Sequence, residues 1–401
     1  MTTLFCLLRN LFPFKGYKYC VLEAGEVVRI GLICRRKTSL CPECKKRCKE
    51  IEAEYERTVR DLYLVQRRCY LVFKEKKIRC SCGYRGVEEL DFVTKSRRVT
   101  KRMETFIVTL CEETTVKTVA EITGLDWKTI KKIDKDYIRT LLPEISTLNI
   151  RRIAIDEIAI MKGHKYFTII RDYDTGVVIK ILLGRCYEDV KNALLELGAE
   201  RLMKIEYASL DMWDPYIKAI TEVCPNVKLV FDKFHVVKKV NEALDKVRKS
   251  VFAEADEEER KMMKHKRFII LKKENNLEKK EKEELQEIMK NNNTLYKAYL
   301  LKEQILSIFD DKKSTFEQIQ KRLQGWFENV LSNDMNTFVP VVNTMQHYFY
   351  GILNYFRYRM TNAIAEGFNT KINIIKRRAF GFSDLEYFML KIYQSSLKRF
   401  A

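Results

Sequence analysis

Acidic residues interrupt one of the most apolar parts of the sequence. The stretch RRIAIDEIAI, residues 151–160, places Asp156 and Glu157 inside a run of isoleucine and alanine that predicts a buried strand. A buried strand excludes carboxylates unless something pairs with them, because removing a charge from water is costly. Two Mg²⁺ (or Mn²⁺) ions about 4 Å apart would neutralise converging carboxylates, polarise a phosphate and activate water. We therefore predict that one acid of this pair is a metal ligand.

Alternation along a strand sends Asp156 and Glu157 to opposite faces, so only one of them can bind the metal. We assign Asp156 to the metal and expect Glu157 to turn toward an arginine at the rim, such as Arg152. Asp211, which ends a later strand pattern, and Glu366, in the helical pattern NAIAEGFN, are the candidates for the remaining ligands. The alternative is that Asp156 and Glu157 are edge or turn residues paired with arginine.

Two short cysteine pairs could hold a second kind of metal. The pairs are Cys41-x-x-Cys44 and Cys80-x-Cys82. Each lies at the tip of a predicted hairpin, and four thiolates so placed suit the tetrahedral coordination of a structural Zn²⁺. The second pair is narrower than the usual spacing, so Cys48 or Cys34 could replace one ligand. The cysteines that we expect to be small buried hydrophobes are Cys6, Cys20, Cys69, Cys111, Cys186 and Cys224.

A sheet must bring the acids together. From residue 151 the pattern predicts three strands of a meander, then a helix, a strand, a helix and a strand, before helices take over after Phe234. This order is that of the ribonuclease-H-like fold, in which the first and fourth strands lie side by side at the centre of the sheet. Asp156 would lie on the first strand and Asp211 at the end of the fourth. We therefore expect the two acids to be neighbours.

A formal net charge of +20 favours a polyanionic partner, nucleic acid before membrane. Residues 101–142 predict three helices, with Gly124 ending the second and Asp126 capping the third, which is a helix-turn-helix pattern. The side chains of the third helix that we expect to meet base edges of double-stranded DNA are Lys128, Thr129, Lys131 and Lys132. The alternative is a small three-helix packing module with a solvated basic face.

A second basic cluster lies about three turns beyond Glu366 on the same predicted helix. It consists of Lys376, Arg377 and Arg378. We expect these side chains to contact DNA phosphates beside the acids.

Four stretches of the sequence together resemble a known family. They are IAIDEIAIMKGHKYFTIIRD, SLDMWDPY, LVFDKFHVVKKVNEALDKVR and NAIAEGFNTKINIIKRRAFGF. In this order they resemble the DDE transposases of the ISL-three family of insertion sequences, to which a leading zinc finger and a helix-turn-helix also belong. The resemblance implies metal-dependent cleavage and joining of DNA at the terminal inverted repeats of a mobile element. It also implies that Asp156, Asp211 and Glu366 are the catalytic triad, and that a homodimer or larger assembly holds two DNA ends.

Glu366 lies 155 positions after Asp211 (366 − 211), which is more than a direct connection requires. Several transposase families carry a helical insertion at this place. At its entrance, Asp232 and His235 resemble the Asp/Cys-x-x-His signature of those families. His235 could orient the acids or touch the scissile phosphate, or it could be a packed histidine hydrogen-bonded to Asp232. Trp326 is either a core residue or a surface on which a flipped base stacks.

These predictions combine into a multidomain α+β protein. The predicted domains are a zinc-ribbon-like domain at 1–95, a helix-turn-helix domain at 96–145, a ribonuclease-H-like α/β catalytic domain at 146–240, an all-helical insertion at 241–340 and the C-terminal helices of the catalytic domain at 341–401. No apolar stretch of the sequence approaches the roughly 20 residues of a membrane span, and the apolar N-terminus lacks the basic region and cleavage site of a signal peptide. We therefore expect a cytoplasmic protein associated with the nucleoid, in which clustered cysteines are reduced and bind metal. The alternative functions are a catalytically inactive, transposase-derived DNA-binding regulator and a structure-specific nuclease.

Overall fold

The structure is a computed structural model that describes residues 10–142, 149–161, 165–360, 363–379 and 381–397, without the side chains of 161, 165 and 363–366. The chain divides into two compact units. The N-terminal unit comprises Met1–Leu141 with Arg378–Gly381, and the C-terminal unit comprises Leu142–Arg377 with Phe382–Ala401.

The strands and helices follow the order that the sequence predicts. The strands are β1 (Tyr17–Ala24), β2 (Val27–Cys34), β3 (Ser39–Leu40), β4 (Arg47–Cys48), β5 (Ile51–Leu64), β6 (Arg67–Arg79), β7 (Arg85–Val87), β8 (Arg152–Met161), β9 (Lys165–Asp172), β10 (Val178–Leu183), β11 (Tyr207–Leu210) and β12 (Lys228–Phe231). The helices are α1 (Lys101–Glu113), α2 (Val116–Thr123), α3 (Trp127–Leu141), α4 (Tyr187–Leu195), α5 (Ala199–Leu202), α6 (Asp214–Val223), α7 (Lys233–Glu254), α8 (Glu257–Met263), α9 (Arg267–Leu271), α10 (Lys279–Asn291), α11 (Asn293–Asp310), α12 (Phe316–Ser332), α13 (Val339–His347), α14 (Phe349–Tyr358), α15 (Ala363–Arg378) and α16 (Leu385–Leu397).

The N-terminal unit contains a five-stranded sheet in the order β1-β2-β6-β5, with β7 paired to β6. Strands β5 and β6 form a long antiparallel hairpin, and the residues at its turn, Val65 and Gln66, both have positive φ. Inward-facing side chains such as Ile30, Leu71 and Phe73 are buried in the core of this unit. The two-stranded pair β3-β4 stands apart from the large sheet.

Asp61 joins this sheet to helices α1–α3. Its carboxylate is fully buried on β5, accepts a hydrogen bond from the hydroxyl of Thr100 at 2.7 Å and forms an ion pair with Arg102. Thr100 also caps α1, because its hydroxyl accepts from the backbone N–H of Met103 at 3.2 Å. A buried carboxylate with these partners is satisfied, so breaking the contact would leave a charge stranded in the core. The sheet and the three helices therefore belong to one compact unit.

The C-terminal unit is built on a five-stranded sheet in the order β10-β9-β8-β11-β12. Strands β8, β9 and β10 form an antiparallel meander, whereas β11 is parallel to both β8 and β12. The prediction that the first and fourth strands are adjacent is confirmed by the pairing of β8 with β11. The parallel register pairs Ser209 with Ala154, so the carboxyl end of β11 lies beside the middle of β8, which is where the two predicted acids lie.

The two faces of the sheet pack against different helices. Residues such as Ile158 and Phe167 face the C-terminal helices and pack with Phe368 of α15 and Phe388 of α16. Their alternate neighbours, such as Ile155, belong to a larger core on the opposite face. Because both faces are covered, the strands are apolar on both sides.

Residues 233–358, all of which the structure describes, form helices α7–α14 with a short 3₁₀ turn and contain no strand. Their cores join the larger core of the sheet. Among the described residues, no helix is both long enough and apolar enough to cross a membrane.

Gly351, in α14, is needed where this helix packs on β12. A Cβ atom at this position would lie 2.3 Å from the ring of Phe231, which is itself packed at 5.4 Å from the ring of Tyr348. We expect Gly351→Ala to lower the free energy of unfolding by on the order of 1–3 kcal/mol through overpacking. The measurement is calorimetric unfolding of the full chain, where the transition temperature should fall.

Gly325→Ala is the matched control, since Gly325 lies in α12 with nothing within 4 Å of the added Cβ. Replacing an exposed helical glycine by alanine should raise stability by up to about 1 kcal/mol. If both variants behaved alike, the contact between α14 and Phe231 would not be close-packed.

Candidate active site and metal centres

Asp156 lies half-buried on β8, between the sheet and helix α15. One of its carboxylate oxygens accepts the backbone N–H of Glu157 at 2.8 Å, and the other accepts the side-chain amide of Asn369 at 2.6 Å. Burial and the negative charge of Asp211 raise the pKa of Asp156. The charge of Asp211 is therefore close enough to disfavour the ionised form of Asp156.

Asp211 directly follows β11, and the carbonyl oxygen of Asp211 accepts the backbone N–H of Trp213 at 2.8 Å. Nε2 of His235 lies 2.6 Å from Oδ1 of Asp211. Burial opposes protonation of His235, but its hydrogen bond to Asp211 and the charge of Asp211 outweigh burial, so its pKa is raised. Asp232 caps α7 by accepting the backbone N–H of Phe234 at 3.3 Å, which fixes the first turn carrying His235. Of the positions considered for His235, the structure shows the one against an acid, Asp211.

Glu157 has a different partner from the one that we predicted. It pairs with Arg185 at 3.5 Å, whereas Arg152 forms an ion pair with Asp174. Arg152 and Glu157 lie on the same strand, five residues apart, and at about 3.3 Å per residue this separation is too long for contact. The partner of Glu157 is an arginine, as we predicted, but it is Arg185 and not Arg152. Glu157 instead lines a cleft, whose other lining residues are Arg185, Asp211, Met212, Trp213, Tyr216, His235 and Lys239.

Sequence reasoning missed two residues beside Asp156. Arg171 on β9 pairs with Ala154, so it shares the sheet face of Asp156, and its positive charge opposes the rise in the pKa of Asp156. It is buried, with its guanidinium 4.9 Å from the ring centroid of Phe368. Asn369, the second residue, comes three positions after Glu366. An arginine inside the apolar run KYFTIIRDY was a signal for Arg171, but no pattern marked Asn369.

Glu366 lies in α15, and its side chain is outside the described residues. The basic cluster on the same helix is only partly free for DNA. Lys376 donates to the carbonyl oxygen of Ala159 at 3.0 Å, while Arg378 donates to the carbonyl oxygens of Glu112 and Glu113 at 2.9 and 2.6 Å. Arg377 is exposed.

The chemistry of this donor set suits a hard divalent cation. Asp156 and Asp211 supply carboxylate oxygens, which Mg²⁺ prefers, and their mutual repulsion would be relieved by a positive ion between them. The observation that carries this fit is the pairing of β8 with β11, which brings the two carboxylates together on adjacent strands.

The four cysteines predicted to bind zinc lie together. Sγ atoms of Cys41, Cys44, Cys80 and Cys82 are all within 4.8 Å of one another, with 3.7 Å between Cys41 and Cys82 and 3.5 Å between Cys44 and Cys80. A tetrahedral site with Zn–S bonds of about 2.3 Å requires sulfur atoms roughly 3.8 Å apart. The spacing therefore suits a zinc ion.

The neighbouring cysteines are not part of this group. Cys48 is buried beside it and directs its thiol to the carbonyl oxygen of Lys46 at 3.9 Å, and Cys34 directs its thiol to that of Arg36 at 3.8 Å. The backbone N–H of Cys82 and the neighbouring thiols lower the pKa of Cys80 to about 6. One ligand is thus poised to be a thiolate at neutral pH.

Helices α1–α3 have the predicted turn chemistry. Gly124 ends α2 with φ of 67°, and the carboxylate of Asp126 accepts the backbone N–H of Lys128 at 2.9 Å at the start of α3. Lys128 and Lys132 are exposed, and Thr129 and Lys131 are half-buried. Trp127, which the sequence analysis did not consider, is 51% exposed on the first turn.

Two other predictions are settled by burial. Trp326 is only 3% exposed, and its indole N–H donates to the carbonyl oxygen of Leu301 at 2.9 Å, so it is a core residue and not a stacking surface. Cys186 is exposed at the start of α4, with its thiol 2.9 Å from a carboxylate oxygen of Asp189, so its predicted burial is wrong. Cys69, Cys111 and Cys224 are buried, Cys20 is half-buried, and Cys6 lies outside the described residues.

Three family profiles match this chain. The profile described as "Transposase" covers residues 153–392, that described as "Helix-turn-helix domain of transposase family ISL3" covers 88–138, and that described as "zinc-finger of transposase IS204/IS1001/IS1096/IS1165" covers 37–82. The transposase for insertion sequence element IS1001 of Bordetella parapertussis is 29% identical over 394 residues, 96% of this chain and 97% of that protein. The transposase for insertion sequence element IS1557 of Mycobacterium tuberculosis, in strains CDC 1551 and H37Rv, is 25% identical over 301 residues, 69% of this chain and 66% of that protein.

A zinc ribbon and a helix-turn-helix that precede this α/β unit place the chain in the class of transposases. The transposase profile alone spans more than half of the chain. The chain belongs to the ISL3 transposase family, the ISL-three family that its motifs resemble.

Loss of two zinc ligands should unfold the zinc ribbon without unfolding the C-terminal unit. Metal binding supplies much of the folding free energy of so small a module, so Cys41→Ser with Cys44→Ser should abolish zinc binding. We expect backbone amides of β3, β4 and β7 to lose protection from hydrogen exchange, while those of β8–β12 keep theirs. The measurements are zinc content by mass spectrometry and hydrogen exchange.

Cys186→Ser is the control, because Cys186 lies outside the cysteine group, and it should retain about one zinc per chain. Zinc-free wild-type protein after purification without chelators would contradict the assignment.

Proposed function

We propose that this protein binds the terminal inverted repeats of an insertion sequence and catalyses Mg-dependent DNA cleavage and strand transfer. The observation that carries the proposal is the convergence of Asp156 and Asp211 from adjacent parallel strands, with Asn369 of α15 hydrogen-bonded to Asp156. Glu366 lies three residues before Asn369 on that helix, which are neighbouring positions on one side of a helix. We assign Glu366 as the third acid of a DDE triad.

The sheet supports a ribonuclease-H-like catalytic domain within this proposal. Its strand order and its pairing directions match the expectation for that fold, with the first and fourth strands adjacent. Residues 241–340 would then be an all-helical insertion between the second and third acids. Such an insertion leaves the sheet intact because it follows β12, an edge strand, and only helices come after β12 in the described part of the chain.

Two Mg²⁺ ions held by Asp156, Asp211 and Glu366 would polarise the scissile phosphate and activate the attacking hydroxyl. The remaining work falls to protein side chains. Asn369 fixes the rotamer of Asp156 by donating to one of its oxygens, and His235 fixes Asp211 from the first turn of α7. Lys239, one turn further along α7, contributes positive charge to the cleft for a DNA phosphate.

DNA recognition is assigned to the N-terminal unit. The exposed Lys128 and Lys132 of α3 would read bases in the major groove, with the zinc ribbon contributing further contacts. Transposition joins two ends of one element, so we propose a homodimer or larger assembly on double-stranded DNA, acting in the cytoplasm at the nucleoid. The relatives named above are transposases of insertion sequences, which supports this substrate class.

Cleavage should require each acid of the proposed triad. Each of three variants keeps the shape of the side chain but removes a ligand charge: Asp156→Asn, Asp211→Asn and Glu366→Gln. Each should raise the activation free energy of cleavage by several kcal/mol, which lowers the rate on the order of a thousandfold. The measurement is Mg-dependent cutting of duplexes that carry the DNA flanking the gene, with the cut ends mapped and binding measured in parallel. Binding should stay within about threefold of wild type.

Asp174→Asn is the matched control, since Asp174 is an exposed acid in the turn between β9 and β10 and pairs with Arg152. It should cut at the wild-type rate. An assay in which wild type binds the flanking DNA specifically but never cuts it would instead favour the catalytically inactive DNA-binding regulator.

The helix-turn-helix and the C-terminal basic cluster should contribute differently to binding. Lys128→Ala with Lys132→Ala should lower affinity for the terminal sequence more than for random DNA, because side chains in the major groove read bases. Arg377→Ala should weaken binding to both DNAs alike and flatten the salt dependence by about one unit of slope, since a phosphate contact acts through counterion release. The measurement is affinity at several salt concentrations on both duplexes. Equal losses on both duplexes for the α3 variant would exclude base reading by that helix.

A further inference from the structure

Trp213 presents an aromatic ring beside Asp211 that no part of the proposed triad uses. It is 41% exposed, although it is anchored by backbone hydrogen bonds. The backbone N–H of Trp213 donates to the carbonyl oxygen of Asp211. The carbonyl oxygen of Trp213 accepts the backbone N–H groups of Tyr216 at 3.0 Å and Ile217 at 3.2 Å, in the first turn of α6. Trp213 and Asp211 line the same cleft, so the ring lies beside the place where a phosphate at Asp211 would be bound.

The indole is held in place by a neighbouring guanidinium. Arg185 lies 5.1 Å from the ring centroid of Trp213 and 4.6 Å from that of Tyr166, within the range of cation–π contacts. Glu157 pairs with the same guanidinium at 3.5 Å, which limits its freedom to swing away. Arg185 thus forms a bridge between two aromatic rings, with its charge balanced by an acid.

The cleft combines the groups that one nucleotide requires. Trp213 and Asp211 line it together with Lys239 and His235, so a phosphate site and an aromatic surface share one opening. A base inside a duplex is covered by its neighbours and cannot reach such a ring, whereas an unpaired base can. Stacking on an aromatic ring is worth about 1–3 kcal/mol per base and tolerates any sequence, because every base has a π face.

We propose that Trp213 binds an unpaired DNA base next to the scissile phosphate by stacking, and that Arg185 is the positioning residue for its ring. The inference rests on the proposed function, because it assigns a base-binding site to the same cleft. Stacking on Trp213 would hold the DNA strand in the cleft beside the scissile phosphate after the base has left the duplex.

A double-mutant cycle between the protein and the DNA tests this. Cleavage rates of wild type and Trp213→Ala are measured on duplexes of the flanking DNA in which each nucleotide near the mapped cut is replaced in turn by an abasic one. Removing the base changes pairing equally for both proteins, so the cycle isolates the contact between the ring and the base. We expect coupling of roughly 5- to 100-fold at one position and none elsewhere.

Further variants separate stacking from folding. Trp213→Phe should keep most of the coupling, and Trp213→Leu, which is apolar but not aromatic, should lose it like the alanine variant. Arg185→Lys keeps the charge but loses the planar group, so coupling at the same nucleotide should fall. Tyr296→Ala, an exposed aromatic on α11 outside the cleft, should show wild-type rates on every duplex.

The outcomes distinguish the two proposals. If wild type cuts but no position couples to Trp213 by more than about twofold, base stacking is excluded and the transposase proposal stands. Coupling that Trp213→Leu retains would equally exclude stacking. If wild type cuts no duplex, the proposed function and this inference are both rejected.

Discussion

Repulsion between the carboxylates of Asp156 and Asp211 is the constraint on which the C-terminal unit depends. Parallel pairing of β8 with β11 brings the two acids side by side, where burial and the negative charge of Asp211 raise the pKa of Asp156. The surrounding contacts compensate this cost: Asn369 donates to one acid, His235 contacts the other, and the charge of Arg171 acts on Asp156. A protein that needed only stability would place apolar residues here. The cost is understandable if a cation binds between the acids.

The parts that sequence reasoning predicted were those encoded by local pattern. Alternation of apolar residues placed Asp156 on a strand, the order of elements placed Asp211 beside it, and short spacings marked the four cysteines. What it missed depends on contacts between distant elements. Glu157 and Arg185 lie 28 residues apart and meet only because β8 and the start of α4 fold together, so no local spacing could show the pair. Asn369 likewise acquires its role from the packing of α15 on the sheet.

The tryptophans also show what sequence reasoning cannot predict, because their exposure depends on the packing of distant elements. The sequence contains three tryptophans, and composition alone does not distinguish them. The one considered for base stacking, Trp326, is a core residue whose indole N–H donates to the carbonyl oxygen of Leu301. Burial distinguishes them: Trp127 and Trp213 are exposed, one on the first turn of α3 and the other beside Asp211. An exposed aromatic is informative only together with its neighbours, and those neighbours become visible only in three dimensions.

The order of the functional parts along the chain also sets an order in time. The ribosome completes the zinc ribbon and helices α1–α3 before it begins the C-terminal unit, and the 155 residues from Asp211 to Glu366 (211 to 366) must follow before the proposed third acid exists. At about 5–20 residues per second, that interval is roughly 8–30 s. Under the proposed function, a nascent or prematurely terminated chain would bind DNA before that same chain could cut it. Truncated products would then compete with the full-length protein for its DNA sites.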